Sequence, residues 1–333
     1  MEEVFCKFKT CPIVEGYTRD IIFDLQRNNF EFIPKSLTSF IRYCEGKSKK
    51  GIKEYVVYSE NKTIYKEYLK FLTQNEFVFF CDEDDYNNFT DFGPDQFEIP
   101  YILKTLVIQY DSKLNYIPIV AAANKYLVPS LAFDLTEINN PDQEIKRIYH
   151  LLANTRFYTI FFKINEVQIF LCEYFQAFAL TCSFNIVIYL PYSLRHKNFD
   201  INYSHIQFRY YSVNGLNPGN DFIINHDFYF ESLSANQFFN KKIFINLNGF
   251  ISPMGYKNYF IKSIEKLKDE EYKEIFLTEY PIWSISRFKI KTCADCEFKL
   301  ICSSDNLPVQ TEDGWALERE CNYNPYTNEW SNL

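Results

Sequence analysis

The sequence predicts an α/β protein, with a small sheet-and-helix module ahead of the α/β region and a cysteine-rich tail behind it. Three observations carry that prediction. Strand and helix patterns alternate from residue 105 to residue 190. Four of the ten cysteines fall between Cys293 and Cys321. Eight acidic residues and no Lys or Arg lie between residues 71 and 103, which sets the first module apart from the α/β region. At 333 residues the chain exceeds the usual size of one domain. Hydrophobic residues make up 47% and aromatics 19% against only 9 glycines, a composition that excludes a disordered chain.

Residues 4–33 read as short strands. An apolar run over 17–26, the polar turn Arg27-Asn28-Asn29 and a return over 30–33 signal a hairpin. Pro34 suits the first turn of a helix in which Leu37, Phe40, Ile41 and Cys44 share a face and Gly46 marks the end. After Asn61, a capping residue type, Ile64, Tyr65, Tyr68, Leu69 and Leu72 form the apolar face of a second helix, while Lys62, Lys66 and Lys70 repeat on another face. A strand over 77–80 closes a winged-helix-like module, assigned to residues 1–90. Asn87, Asn88, Gly93 and Pro94 then add turn chemistry to a solvated linker near 82–100.

The second region, 100–250, reads as strands over 105–110, 130–135, 157–163 and 184–190, with helices over 117–126, 143–152 and 169–180 between them. Such alternation requires right-handed crossovers and a mostly parallel sheet, open or partly closed as a barrel. Further strands are predicted at 206–213, 226–230 and 243–247. Asn248-Gly249 before Phe250-Ile251 predicts a two-residue hairpin loop. The third region, 251–333, carries the clustered cysteines.

The chain opens on Met1-Glu-Glu-Val-Phe-Cys, with no apolar core of signal-peptide length, and no stretch convincingly spans a membrane, so a cytoplasmic location without a membrane partner is expected. In that reducing compartment, clustered cysteines point to metal or redox chemistry rather than disulfides. Cys293, Cys296, Cys302 and Cys321 follow the pattern C-x2-C-x5-C-x18-C. The first pair can converge from a tight turn, and two more sulfurs complete a shell suited to an iron-sulfur cluster or to zinc. A zinc ribbon would show two CxxC knuckles, and one is present. Thirty-five basic against 43 acidic residues, net −8, disfavour nucleic acid as a partner. Residues 35–70 are locally basic, nine against four, a face suited to solvent or to an acidic peptide. The four histidines are scattered, and there is no glycine-rich phosphate loop or nucleophile motif.

The C-x2-C-x5-C core, the stretch Glu320-Cys-Asn-Tyr-Asn-Pro-Tyr-Thr-Asn-Glu-Trp330 and the preceding Asn248-Gly-Phe-Ile-Ser-Pro resemble the SPASM region that follows radical-SAM barrels in peptide-modifying enzymes. The Asn-Pro-Tyr ending and the opening Gly16-Tyr-Thr-Arg-Asp-Ile-Ile-Phe-Asp-Leu-Gln-Arg-Asn resemble one branch, the grasp-with-SPASM peptide maturases, whose companions are ATP-grasp ligases. The sequence departs from the wider family in three places. The CxxxCxxC that holds a catalytic cluster is missing, Cys6 and Cys11 having no third partner. Met254 and Asn306 stand where a first auxiliary cluster would need cysteines.

The resemblance implies a degenerate, partial radical-SAM-like α/β barrel over 100–250, a SPASM-like tail and a leader-recognition module. Cys293, Cys296, Cys302 and Cys321 would hold one 4Fe-4S cluster, zinc being the alternative, and no SAM is expected. The leader of a precursor peptide would add a strand beside residues 30–33, touching Phe30 and Phe32 and lying against Tyr65 and Leu69. The expected function is that of an accessory protein in maturation of ribosomally synthesised peptides, with an ATP-grasp ligase as partner and no bond-making of its own. A redox maturase using the remaining cluster and a metal-stabilised winged-helix DNA-binding regulator are the rival readings.

Overall fold

The computed structural model describes residues 3–89, 100–138, 141–165, 184–196, 204–211, 222–254, 256 and 259–331. They form two compact units: Met1–Glu98 with Phe222–Ser234 and Ser286–Leu333, and Ile99–Asp221 with Ala235–Ile285. The three consecutive segments expected from sequence are thus shared between two units, the first of which takes in both the N-terminal module and the cysteine-rich tail.

In the first unit, β1 (Glu3–Lys7) pairs antiparallel with β5 (Val78–Asp82). The strands β2 (Ile13–Glu15), β3 (Asp20–Asp24) and β4 (Asn29–Ile33) form an antiparallel meander. The expected hairpin between β3 and β4 turns through Asn28 at φ 54, and the Asp24 carboxylate accepts the N–H groups of Gln26 at 3.1 Å and Arg27 at 2.9 Å. Three helices come next: α1 (Lys35–Cys44), α2 (Lys49–Tyr58) and α3 (Lys62–Gln74). The helix α2 was not expected, because only Ile52 and Val56 recur on its buried side. It is started by Ser48, whose hydroxyl accepts the Gly51 N–H at 3.2 Å. Asn61 precedes α3 as expected but makes no side-chain capping bond. The short α4 (Glu83–Tyr86) falls in the expected linker, the rest of which lies largely outside the described residues.

All five residues of β3 are buried, because the meander is covered on both faces. Side chains alternate across a strand. Ile22 and Ile33 pack with Leu37, Phe40, Ile41 and Leu72 on the helix side. Val14, Ile21 and Phe23 pack with Phe298, Leu300, Ile301 and Tyr323 of the tail on the other. Each such buried side chain contributes about 1.5–3 kcal/mol.

In the second unit, β6 (Thr105–Gln109), β7 (Ser130–Asp134), β8 (Thr159–Lys163), β9 (Asn185–Pro191) and β10 (Ile206–Tyr211) are parallel neighbours in chain order. The helices α5 (Ile117–Lys125) and α6 (Pro141–Leu152) make the first two crossovers. The expected helix over 169–180, with Cys172 and Cys182, lies outside the described residues. The strand β11 (Lys242–Ile245) joins the free side of β6, and β12 (Phe250–Pro253) and β13 (Lys262–Ser263) add antiparallel. The chain is therefore α/β, with an eight-stranded, mostly parallel sheet whose end strands, among the described residues, are β10 and β13.

Two local expectations are corrected. Residues 226–230, read as a strand from the alternation of Phe228 and Phe230, belong to α7 (His226–Ser234), where Phe228, Glu231 and Ser232 are buried at helical spacing. The β11–β12 turn is longer than a two-residue loop. Gly249 at φ 74 donates to the Asn246 carbonyl at 2.9 Å, and Asn246 Oδ1 accepts the N–H groups of Asn248 and Phe250, each at 3.0 Å. The last long helix is α8 (Asp269–Leu277). Among the described residues no helix is long and apolar enough to cross a membrane.

Candidate metal centre

The four tail cysteines are placed by a chain of tight turns. After the 3-10 turn Arg287–Lys289, Thr292 takes a left-handed conformation at φ 47, and the Ala294 N–H returns to the Ile290 carbonyl at 2.9 Å. The Cys296 N–H donates to the Cys293 carbonyl at 3.1 Å, so the CxxC pair closes on itself as its spacing predicts. A turn through Phe298 brings the Cys302 N–H to the Phe298 carbonyl at 2.9 Å. The hairpin β14 (Pro308–Thr311) and β15 (Gly314–Leu317) then leads back toward Cys321. Asn306 pins its base: the side-chain amide donates to the Arg319 carbonyl at 2.6 Å and accepts the Arg319 N–H at 3.0 Å. Asn306, where the sequence resemblance expects a cysteine, is thus structural here. Met254, the other such position, comes directly after β12 and donates its N–H to the Lys242 carbonyl at 2.9 Å.

Cys293, Cys296, Cys302 and Cys321 are all free thiols. They share one neighbourhood, since Cys302 acts electrostatically on each of the other three. Burial pushes the Cys293 thiol up to about 11, raises Cys296 well above its ordinary range and raises Cys321 as well. Beside them lies Arg287, 3% exposed, whose Nε donates to the Cys302 carbonyl at 3.1 Å and Nη2 to the Ser304 carbonyl at 2.9 Å. Among the described residues no three Cys, His, Asp or Glu side chains come close enough together to hold a single metal ion. Four thiols with a buried cation are the donor chemistry that a cysteine-held metal or cluster would use.

The knuckle docks on the turn between β2 and β3. Gly16 makes this possible, because a Cβ there would lie 2.5 Å from the Arg19 carbonyl oxygen and 2.8 Å from the Glu297 Cβ. The Tyr17 N–H donates to the Asp295 carbonyl at 2.7 Å, and the Thr18 hydroxyl donates to the Pro325 carbonyl at 3.3 Å. Glu297, fully buried between Cys296 and Phe298, accepts Arg19 Nε at 2.8 Å and the Tyr323 hydroxyl on Oε1, while its Oε2 has no partner. Lys299 reaches the carbonyls of Glu15 and Ala294, and burial lowers its pKa. The opening stretch from Gly16 and the closing stretch to Trp330 therefore meet around the CxxC knuckle. Spacing revealed the cysteines. It did not reveal Arg287, Glu297 or the close approach at Gly16, and of these only Gly16 falls in either of the two end stretches that carry the resemblance.

The four candidate peptide-contact residues divide into two pairs. On β4, Phe30 and Phe32 face the tail, with ring centroids 6.1 and 5.7 Å from Phe298, and the Arg19 guanidinium covers Phe32 at 3.5 Å. Tyr65 and Leu69 pack on the helix-side core, Tyr65 stacking on Phe40 at 4.7 Å. The sheet lies between the two pairs. Among the described residues β4 pairs only with β3, and its outer edge has no strand partner. Of the basic residues over 35–70, Lys35, Arg42 and Lys49 pair with Asp20, Glu15 and Glu3, and Lys62, Lys66 and Lys70 are exposed.

A scan against protein-family models and a search of curated proteins found no match. Among solved structures, Streptococcus suis SuiB bound to S-adenosylmethionine is similar over 90% of this chain and 95% of its own, at 12% identity and a TM-score of 0.30. Overlap that loose carries no argument about chemistry.

Proposed function

We propose that this protein recognises the leader of a ribosomally made precursor peptide and presents it to an ATP-grasp ligase, with a SPASM-like tail whose four cysteines hold one 4Fe-4S cluster. The observation that carries this reading is the outer edge of β4, with which no described strand pairs, in a sheet covered on both faces. An extended leader adds a strand there through main-chain hydrogen bonds and takes its specificity from side-chain pockets. Tyr65 and Leu69, packed on the core that holds Ile33, would meet the leader from the helix side, and Phe32 with Arg19 from the tail side. Cys293, Cys296, Cys302 and Cys321 hold the cluster, which organises the tail that covers the sheet. All four cysteines are committed to it, so its role is structural or electron-carrying rather than substrate-binding.

The test uses the full chain, because Ile21, Phe23 and Phe30 would be bared in an isolated N-terminal fragment. Fluorescein-labelled leader segments of short peptides encoded beside the gene are titrated with the protein and followed by anisotropy. Binding that weakens by roughly 1–3 kcal/mol in Tyr65→Ala supports the reading. Failure to bind any such leader, with salt-sensitive binding to duplex DNA instead, replaces it with the DNA-binding regulator.

A further inference from the structure

Arg287 is 3% exposed and has no carboxylate partner among the described residues. Its N–H groups go to two backbone carbonyls, of Cys302 and Ser304. Carbonyl oxygens satisfy N–H groups without cancelling a charge. A guanidinium taken out of water needs an anion, or the cost of burying it goes uncompensated. The ionisable groups that act on it electrostatically are the thiols of Cys302, Cys293 and Cys296. Protonated thiols are neutral and supply no counter-charge. Metal-bound thiolates do, because four of them bring more negative charge than an iron-sulfur core or a zinc ion returns.

Resting on the four-cysteine cluster proposed above, we infer that Arg287 is the built-in counter-cation of the loaded centre, a positioning residue that stabilises the anionic cluster and favours its more negative, reduced state. The guanidinium suits this role better than a lysine ammonium would, since it also spans the two carbonyls that shape the turn after Cys302. Charge and hydrogen bonding near the sulfurs are the terms through which a protein sets such a potential.

The experiment compares the full-length wild type with Arg287→Gln and Arg287→Lys, each purified without oxygen and reconstituted with ferrous iron and sulfide. Iron and sulfide per chain are measured, then the midpoint potential by redox titration followed by electron paramagnetic resonance. The expected result is a more negative potential in Arg287→Gln at full iron content, with Arg287→Lys close to wild type. Equal potentials in wild type and a fully loaded Arg287→Gln overturn the counter-cation role and leave the cluster standing. If Arg287→Gln does not load, recovery of loading in Arg287→Lys supports the charge role, and loss in both overturns it in favour of a purely structural fork. A wild type that takes zinc instead of iron removes the cluster assignment alone. The counter-cation role then requires faster zinc loss to a chelator from Arg287→Gln than from Arg287→Lys, and equal rates overturn it. A wild type that takes neither metal overturns both.

Discussion

The two faces of the β2–β4 meander are built by different means. On the helix side, Ile22 and Ile33 meet Leu37, Phe40, Ile41 and Leu72, apolar residues drawn from one short stretch of chain. On the tail side, Ile21 and Phe23 meet Phe298, Ile301 and Tyr323, and the contact is framed by polar pairs: buried Glu297 with Arg19, buried Lys299 with the Glu15 carbonyl. The first face needs only hydrophobic burial and local helices. The second depends on a run of turns that carries the four cysteines of the proposed cluster, so the same sheet has one self-sufficient face and, on that proposal, one conditional face. That conditional face is what ties the outer edge of β4 to the proposed cluster.

Breaking the tail side at its centre should have the largest effect. Phe298 is 3% exposed and stacks on Phe222 at 4.4 Å, so Phe298→Ala should cost about 4 kcal/mol in urea unfolding. Hydrogen exchange should speed up across the tail well before it does across α1–α3, and uniform loss of protection would show that the two faces are not separable. Gly16→Val comes next, at on the order of 3 kcal/mol, because its side chain meets backbone of Arg19 and Glu297. Thermal unfolding measures the loss, and a Gly16→Val protein as stable as wild type would mean the knuckle does not sit on this turn.

Arg19→Met should cost about 2 kcal/mol by leaving Glu297 buried without its cation, a figure reduced from that of a fully buried pair because Arg19 is partly exposed. Pairing it with Glu297→Gln in a double-mutant cycle isolates the interaction, and simple additivity would contradict it. A gentler comparison uses thiols. Cys11 and Cys44 lie in the helix-side core, where burial pushes them up to about 11 and about 12, so they should alkylate only on global unfolding. On the proposed cluster, the tail cysteines should become reactive once a chelator removes it, at denaturant levels that leave Cys11 and Cys44 unlabelled, as mass spectrometry of alkylated peptides would show. Lys62→Ala, on an exposed helix surface, should change stability by less than about 0.5 kcal/mol.

Local patterns made much of this legible. The strand at Thr105–Gln109, the helix at Ile117–Lys125 and the hairpin of β3 and β4 stand where periodicity put them. The helix α7 was hidden because His-Asp-Phe-Tyr-Phe alternates like a strand, and packing of Phe228 with Glu231 and Ser232 decides otherwise. The cysteine spacing pointed to a shared centre, yet a buried Arg287 or Glu297 leaves no trace in periodicity, since polar residues are read as surface until their partners are known. The alternation of β4 does carry the fact that Phe30 and Phe32 share a face. Which face meets the helices is set by Ile33, and by a tail that local patterns cannot place.

The meeting of Arg19 with Glu297 spans 278 positions of sequence. At ribosomal speeds of about 5–20 residues per second, roughly 15 to 55 seconds separate the synthesis of the two residues. Throughout that interval the helix-side fold can close while Ile21, Phe23 and Phe30 still present a bare apolar surface. A nascent chain in that state exposes a surface that other apolar chains can cover, so correct folding requires the tail to reach the meander before they do.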